Sequence, residues 1–480
     1  MATTEPFVHR ARTKIVATVG PACNDVPTLL QLLAAGADVF RLNMAHGDRA
    51  THDRSIEAIR RAAFEAERPV GILVDLGGPK IRLGELHEDP TECRLGAELR
   101  FVRGTHTATP GELTSNYPRL IDELDKGDQV MLADGTVCLV VESRDADSAR
   151  CRVVSAGQVR SRQGINLPGV KLSVPALTDE DRLDAAWAAS VGVDFVGQSF
   201  VRSADDIHHL RQLLASRGSA ALVVAKIEKR EALERLDAIV DAADAVMVAR
   251  GDLGVEIEVA QMPLAQKRII TACRARRKPV IVATQMLESM THSRRPTRAE
   301  ATDVANAVLD GADACMLSGE TAVGQYPRET VETMNSILLA TEELLRDAPQ
   351  QPTPTTGPEV HPITSAVVYG AARIADRLDA KLVVVATRSG ATALTKSKQR
   401  DYISTIGVSD SPITLRRMCL MWGITPMAGA PLEAGPDLRR YVDNWGRGEG
   451  VLAPGDRVVF VSGTGLVEGA HNLVVVHEVE

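Results

Sequence analysis

Along the first 350 residues, short apolar runs alternate with longer stretches of helical periodicity. Eight runs have strand-like length and a supply of β-branched residues: KIVATVG (14–20), VFRLNM (39–44), VGILVDL (70–76), FVGQSF (195–200), ALVVAKIE (221–228), AVMVARG (245–251), KPVIVATQM (278–286) and ACMLSGE (314–320). Helical patterns such as PTLLQLLAAG, SADDIHHLRQLLASRG and EALERLDAIVDAA follow nearly all of them, and Thr178 with Asp181, Ser203 with Asp206 and Thr297 with Glu300 read as capping boxes. Eight successive βα units predict an α/β chain closed into a (β/α)8 TIM barrel, here over residues 1–78 and 170–349. The third unit is interrupted. From 79 to 169 the pattern changes to short strands with turn punctuation (LGAELRFV, KGDQVMLADGTVCLVV, ARCRVVSAG), which predicts an inserted small β-barrel domain hanging over the barrel mouth as a lid. QQPTPTTGPEVHP (350–362) reads as a linker, and AKLVVVATRSG, DYISTIGVS and DRVVFVSGTG predict a C-terminal α/β domain over 363–480.

Composition narrows the chemistry. Aromatic residues are only 3% of the 480, so the interior must be filled by aliphatic side chains, as in parallel α/β folds. A net charge of −8 argues against nucleic acid as a partner, so any phosphate must meet a local group of cations. No apolar stretch follows the basic residues of MATTEPFVHRARTK, which predicts no membrane partner and a cytoplasmic location. Seven cysteines lie scattered without a CxxC pair and read as reduced, buried thiols.

In such a barrel the active site forms at the carboxyl ends of the strands, and polar residues gather there in this sequence. Arg41 and Asn43 end the second run, Asp75 the third, Ser199 the fourth, and Lys226 with Glu228 the fifth. Arg250 and Asp252 follow the sixth, Thr284 and Gln285 the seventh, and Glu320 the eighth. Strand alternation turns Lys226 and Glu228, and likewise Arg41 and Asn43, to one face. Glu228 and Asp252 are the hard oxygen ligands Mg2+ takes while keeping waters and substrate oxygens. Lys226, Arg41 and Arg82 are cations suited to a transferring phosphoryl group. A metal with cations and no nucleophile–base pair points to phosphoryl transfer by positioning and electrostatics.

At these residues the sequence resembles the pyruvate kinase family. The segments that carry the resemblance are TKIVATVGPA (13–22), RLNMAHG (41–47), GINLPG (164–169), KIEKREALERLDAIV (226–240), VMVARGDLGVEI (246–257), KPVIVATQMLESM (278–290) and PTRAEATDVANAVLDGADACMLSGETAVGQYP (296–327). The resemblance implies transfer of the phosphoryl group of phosphoenolpyruvate to ADP in glycolysis, with Mg2+ (or Mn2+) on Glu228 and Asp252. It implies that Lys226 steadies the group in transit, that Arg41 binds its oxygens, and that backbone amides near Ala249, Arg250 and Gly251 receive the substrate carboxylate. Thr284 would belong to the path that protonates the enolate carbon, and Asn43, His46 and Arg82 would face the nucleotide phosphates. His46 reads equally well as a packed, hydrogen-bonded histidine. Arg298 and Glu300 are expected to make subunit or domain contacts, and the family expectation for assembly is a homotetramer.

Two departures stand out. Many family members hold K+ partly through a serine and a threonine hydroxyl, and this chain has Ala45 and Leu76 there. Lys80 stands where the K+-dependent pattern has a glutamate, so its ammonium is expected to replace the ion beside Asn43 and Asp75, with K+ not required; a solvent-facing hinge lysine is the alternative. Gln163 replaces a customary lysine, and the neighbouring Arg162 is a candidate for that charge. In the last domain, the turns TRSGAT (Thr387, Arg388, Ser389, Gly390, Ala391, Thr392) and SGTG (Ser462, Gly463, Thr464, Gly465) are candidate sites for a phosphorylated allosteric effector, although Ala391 stands where sugar-bisphosphate-activated relatives often carry arginine. A different Mg2+-dependent barrel enzyme and a non-catalytic metabolite sensor are the competing readings.

Overall fold

Eight parallel strands close into a barrel in chain order: β1 (Lys14–Thr18), β2 (Val39–Asn43), β3 (Gly71–Asp75), β4 (Phe195–Gln198), β5 (Leu222–Ile227), β6 (Ala245–Ala249), β7 (Val280–Ala283) and β8 (Ala314–Leu317), with β8 pairing back onto β1. The structure is a computed structural model describing residues 10–133, 135–346, 362–431, 435–463 and 472–480. Period two sorts each strand. Val16, Leu73, Val224, Met247, Ile281 and Met316 point inward and fill the barrel, while Ile15, Ile72, Val74, Val223, Val246 and Val282 point outward to the helices. The aliphatic interior matches the scarcity of rings.

The helices begin where local chemistry starts them. At Asp179–Ser190 and Arg298–Asp310 the capping boxes Thr178/Asp181 and Thr297/Glu300 are both formed, and at Ala204–Ser216 the Asp206 carboxylate accepts the Ser203 N–H at 3.0 Å. Between β3 and the helix Asp179–Ser190 the inserted domain has its own core, from Ile81 to Val170. It is a six-stranded sheet with an added two-stranded ribbon. Residues 81–84 hydrogen-bond to Gln163, Ile165 and Thr114, which draws the two edges of that sheet towards each other.

The C-terminal sheet runs in the order β11 (Ile424–Met427), β10 (Thr405–Val408), β9 (Leu382–Ala386), β12 (Arg457–Gly463), β13 (Asn472–Glu478), parallel except for β13. It docks on the barrel floor, where Cys419 and Leu420 plug the interior layer. Four aspartates mark that floor, each immediately before an even-numbered strand. Asp38, Asp194, Asp244 and Asp313 accept the backbone N–H of Ile15, Ile72, Val223 and Val280 at 2.8–3.1 Å. Two of them also take cations from the C-terminal domain: Lys398 and Arg400 lie 2.6 and 3.0 Å from Asp313, and Arg416 lies 2.7 Å from Asp194. All seven cysteines are free thiols, and all but Cys138 are buried. No helix among the described residues is long and apolar enough to cross a membrane.

Candidate functional site

The inward positions that fill the barrel below become the site above. Arg41 stands two residues beyond inward Val39, Asp75 two beyond Leu73, Lys226 and Glu228 two and four beyond Val224, and Thr18 two beyond Val16. Gly197 occupies the corresponding place on β4, and a Cβ there would lie 3.0 Å from Asp75 Oδ1. Its missing side chain makes room for that carboxylate.

Asp75 is the hub. It is fully buried and takes Nε and Nη2 of Arg41 on Oδ2 at 2.7 and 2.6 Å. Lys226 Nζ lies 3.1 Å from Oδ1, an ionic contact without hydrogen-bond alignment. Burial alone would raise the Asp75 carboxyl; Lys226 and Arg41 outweigh it and hold the group below the usual range. Lys226 also contacts Glu228 Oε1 at 2.7 Å and donates to Ser199 Oγ at 2.6 Å. Burial would lower its ammonium, but Asp75 and Glu228 keep it above an ordinary lysine, so the charge is permanent. Arg41 is steadied from β1 by Thr18 Oγ1 at 3.0 Å.

Glu228 is buried, with Oε2 accepting the Phe200 N–H at 2.7 Å. Burial pushes its carboxyl up, Lys226 pulls it back, and nearby Asp252 pushes it up again. A buried carboxylate raised in part by a second carboxylate beside it is relieved by a divalent cation between the two, and the chemistry of this pair fits one. Among the described residues no three His, Cys, Asp or Glu groups converge as a metal site.

The backbone at the mouth is held in unusual conformations. Phe200, Thr284 and Gln285 have φ of +55°, +69° and +54°, in the left-handed region that non-glycine residues rarely enter. Thr284 Oγ1 accepts the Gly251 N–H at 2.8 Å and donates to Ala283 O at 2.6 Å. The Gly251 amide among the three expected to receive a carboxylate is thus already engaged. The Arg250 side chain clamps the same loops, reaching Asp303 at 2.6 Å and Thr284 O at 2.7 Å. Glu320 is buried and accepts the N–H of Leu287 and Ser318, which makes it a support of the mouth.

On the lid side, Lys80, Arg82 and Arg41 lie close enough to His46 to lower it, after burial, which is the larger cause. Lys80 is exposed, and the cations on Asp75 are Arg41 and Lys226. Asn43 turns its Oδ1 to the Ala45 N–H at 3.2 Å. Arg82 donates to Arg162 O at 3.1 Å, Arg162 pairs with Glu85 at 2.9 Å, and Gln163 Oε1 accepts the Arg160 N–H at 2.7 Å. Glu300 accepts from Ser289 and Thr297, a contact inside the barrel domain, whereas Arg298 is exposed.

In the C-terminal domain β9 and β12 are neighbours with Ala386 opposite Ser462, so the two candidate turns start side by side. Thr387 Oγ1 accepts the Gly390 N–H at 3.1 Å, Gly390 has φ +88°, and Thr392 is buried. Thr464, Gly465 and the segment 350–361 of the expected linker lie outside the described residues. Sequence reasoning missed the support that the Phe200 N–H gives Glu228 and the clamp made by the Arg250 side chain; only the RG pair before Asp252 signals the latter.

Comparison with known proteins agrees with this architecture. Residues 10–331 match the family described as "Pyruvate kinase, barrel domain", and residues 365–477 match "Pyruvate kinase, alpha/beta domain". The chain is 42% identical over 473 residues to a pyruvate kinase of Mycobacterium intracellulare, covering 98% of both. It is 40% identical over 474 residues to one of Geobacillus stearothermophilus, covering 98% of this chain and 80% of that one. The crystal structure of a pyruvate kinase from Cryptosporidium parvum superposes with a TM-score of 0.90 at 32% identity, covering 98% of this chain and 97% of the other.

Proposed function

The chain belongs to the pyruvate kinase family, and from that premise we propose how its own residues carry the reaction and which ions it needs. It is a phosphotransferase that moves the phosphoryl group of phosphoenolpyruvate to ADP, giving pyruvate and ATP, with a divalent metal such as Mg2+. The observation that carries the site assignment is the buried cluster in which Lys226 sits 2.7 Å from Glu228 and 3.1 Å from Asp75, beside Arg41.

Lys226 and Arg41 present permanent positive charge to the phosphoryl oxygens as an ADP oxygen bonds to phosphorus and the bond to the enol oxygen breaks. Asp75 aims both cations, through Arg41 at 2.6 Å and Lys226 at 3.1 Å. Glu228 and Asp252 would hold Mg2+, or Mn2+ in its place, and the bound ion would supply charge neutralisation for the substrate oxygens. Amides near Ala249 and Arg250 receive the substrate carboxylate. The hydroxyl proton of Thr284 points to Ala283 O, so Thr284 positions the water that protonates the enolate carbon and is not itself the acid. Asn43, His46 and Arg82 face the nucleotide phosphates as the lid closes and excludes water.

K+ is not required in this reading. Ala45 and buried Leu76 bring no hydroxyl, and Lys80 adds a cation next to His46 and Arg82. The segments Thr387–Thr392 and Ser462–Gly465 take a phosphorylated effector, and the enzyme works as a cytoplasmic homotetramer. A lactate-dehydrogenase-coupled assay with phosphoenolpyruvate and ADP in buffer free of sodium and potassium tests the centre of this reading. Turnover without added KCl is expected, and Lys226→Met is expected to abolish it while the circular dichroism spectrum is unchanged. Strong activation by KCl would overturn the cation assignment; near-normal turnover of Lys226→Met would overturn the role of Lys226.

A further inference from the structure

A buried ion pair beside the metal carboxylates has no part in the chemistry above. Lys229 Nζ lies 2.5 Å from Glu256 Oε1, with both residues buried. Such a pair is weak evidence for stability, because desolvating two charges cancels most of their attraction and a packed apolar pair would serve as well. Its placement suggests another use. Lys229 directly follows Glu228 at the end of β5, and Glu256 ends the helix Arg250–Glu256, one turn beyond Asp252 and on the same face. The strand end and the helix therefore face each other through two neighbouring pairs. One is the pair of carboxylates Glu228 and Asp252, which repel; the other is the ammonium–carboxylate contact of Lys229 and Glu256, the rung that joins the two elements. Lys229 also lies 5.5 Å from the centre of the Phe200 ring, and the Phe200 N–H holds Glu228 Oε2.

We infer that Lys229 and Glu256 are positioning residues for the divalent site, holding the helix that carries Asp252 at a fixed distance and rotation from Glu228 before any metal arrives. This rests on the assignment of Glu228 and Asp252 as ligands. Like-charged carboxylates push their elements apart when no cation lies between them, and the Lys229–Glu256 rung opposes that. The site is then preorganised, and metal binding does not have to order the helix.

The test is Mn2+ binding to the metal-free full-length chain, followed by electron paramagnetic resonance of free Mn2+, for the parent, Lys229→Met, Glu256→Gln and Glu228→Gln. Loss of either rung partner is expected to weaken Mn2+ binding about tenfold or more, in the range seen when groups behind metal ligands are removed. The Mg2+ activation constant should rise in parallel, with kcat at saturating Mg2+ within about threefold of the parent, a split a merely structural contact would not produce. Thermal melts identify folded variants, and one folded rung variant is enough. Parent-like Mn2+ affinity in a folded rung variant, or failure of both to fold, would overturn the inference. If Glu228→Gln abolishes binding while the rung variants bind normally, only this inference falls; if Glu228→Gln binds normally, the ligand assignment itself falls.

Discussion

Asp75→Asn is the perturbation that most directly probes the site, because it removes one charge and almost no volume from a fully buried hub. In the parent, the carboxylate compensates two buried cations through Arg41 contacts at 2.7 and 2.6 Å and a Lys226 contact at 3.1 Å. The amide oxygen can still accept hydrogen bonds but cancels no charge, so Arg41 and Lys226 are left to repel one another, offset only by the carboxylates of Glu228 and Asp252. Removing one partner of a buried ionic group costs about 3–5 kcal/mol. For a domain of barrel size, at about 2 °C per kcal/mol, that lowers the melting temperature by ~6–10 °C. Turnover should fall more steeply. A shift of the phosphoryl-binding cations by about 1 Å is worth about a hundredfold in rate. The sign with pH follows from the direction of the Asp75 shift. Its carboxyl is held below the usual range by Lys226 and Arg41 against burial, so its stabilisation is complete above the unfolded value near ~3.9 and is lost as pH falls through the folded value. The difference in melting temperature between parent and Asp75→Asn should be flat from about pH 5 to 8, closing only in stronger acid. Calorimetry across that range with the coupled assay decides it: a melting point within 2 °C of the parent and unchanged turnover would refute the hub.

Other substitutions separate chemistry from support. Gly78 has φ +68°, and a Cβ there would lie 2.6 Å from the Phe200 ring and 2.8 Å from Ser199 Cβ, so Gly78→Ala should displace Phe200 from Glu228 and weaken Mn2+ binding several-fold, measurable by the same resonance titration. Thr284→Val keeps the shape but loses the Oγ1 contacts to Gly251 and Ala283; kcat should fall about a hundredfold, and exchange of solvent tritium into pyruvate should slow with it, whereas an unaffected exchange rate would remove Thr284 from the proton path. Lys398→Met deletes a buried 2.6 Å contact to Asp313 but leaves Arg400 in place, so a loss of about 2 kcal/mol in urea unfolding with kcat retained is expected.

What could be read from the residues alone is what depends on short-range periodicity. A two-residue repeat places Lys226 and Glu228 on one face, which lets them meet at 2.7 Å once the site is packed. Polar residues likewise marked the ends of the second to eighth strands, and the change of period at 79–169 marked the inserted sheet. Capping boxes at Thr178 and Thr297 are likewise local, since N-cap and N3 meet within one helical turn. Partners were another matter. Asp75 reads in sequence as a neighbour of Lys80, five residues on, yet its cations come from β2 and β5, brought within 3.1 Å only because the strands close into a ring. Thr284 displays a hydroxyl in sequence, but its acceptance of the Gly251 N–H depends on how the loops after β6 and β7 fold over each other. The four floor aspartates stand visibly before alternate strands, but which of them the C-terminal domain would grip was set by its docking. Alternation and capping are properties of a few bonded neighbours; ion pairing in a buried site is a property of distance in space, and only barrel closure and domain packing set those distances.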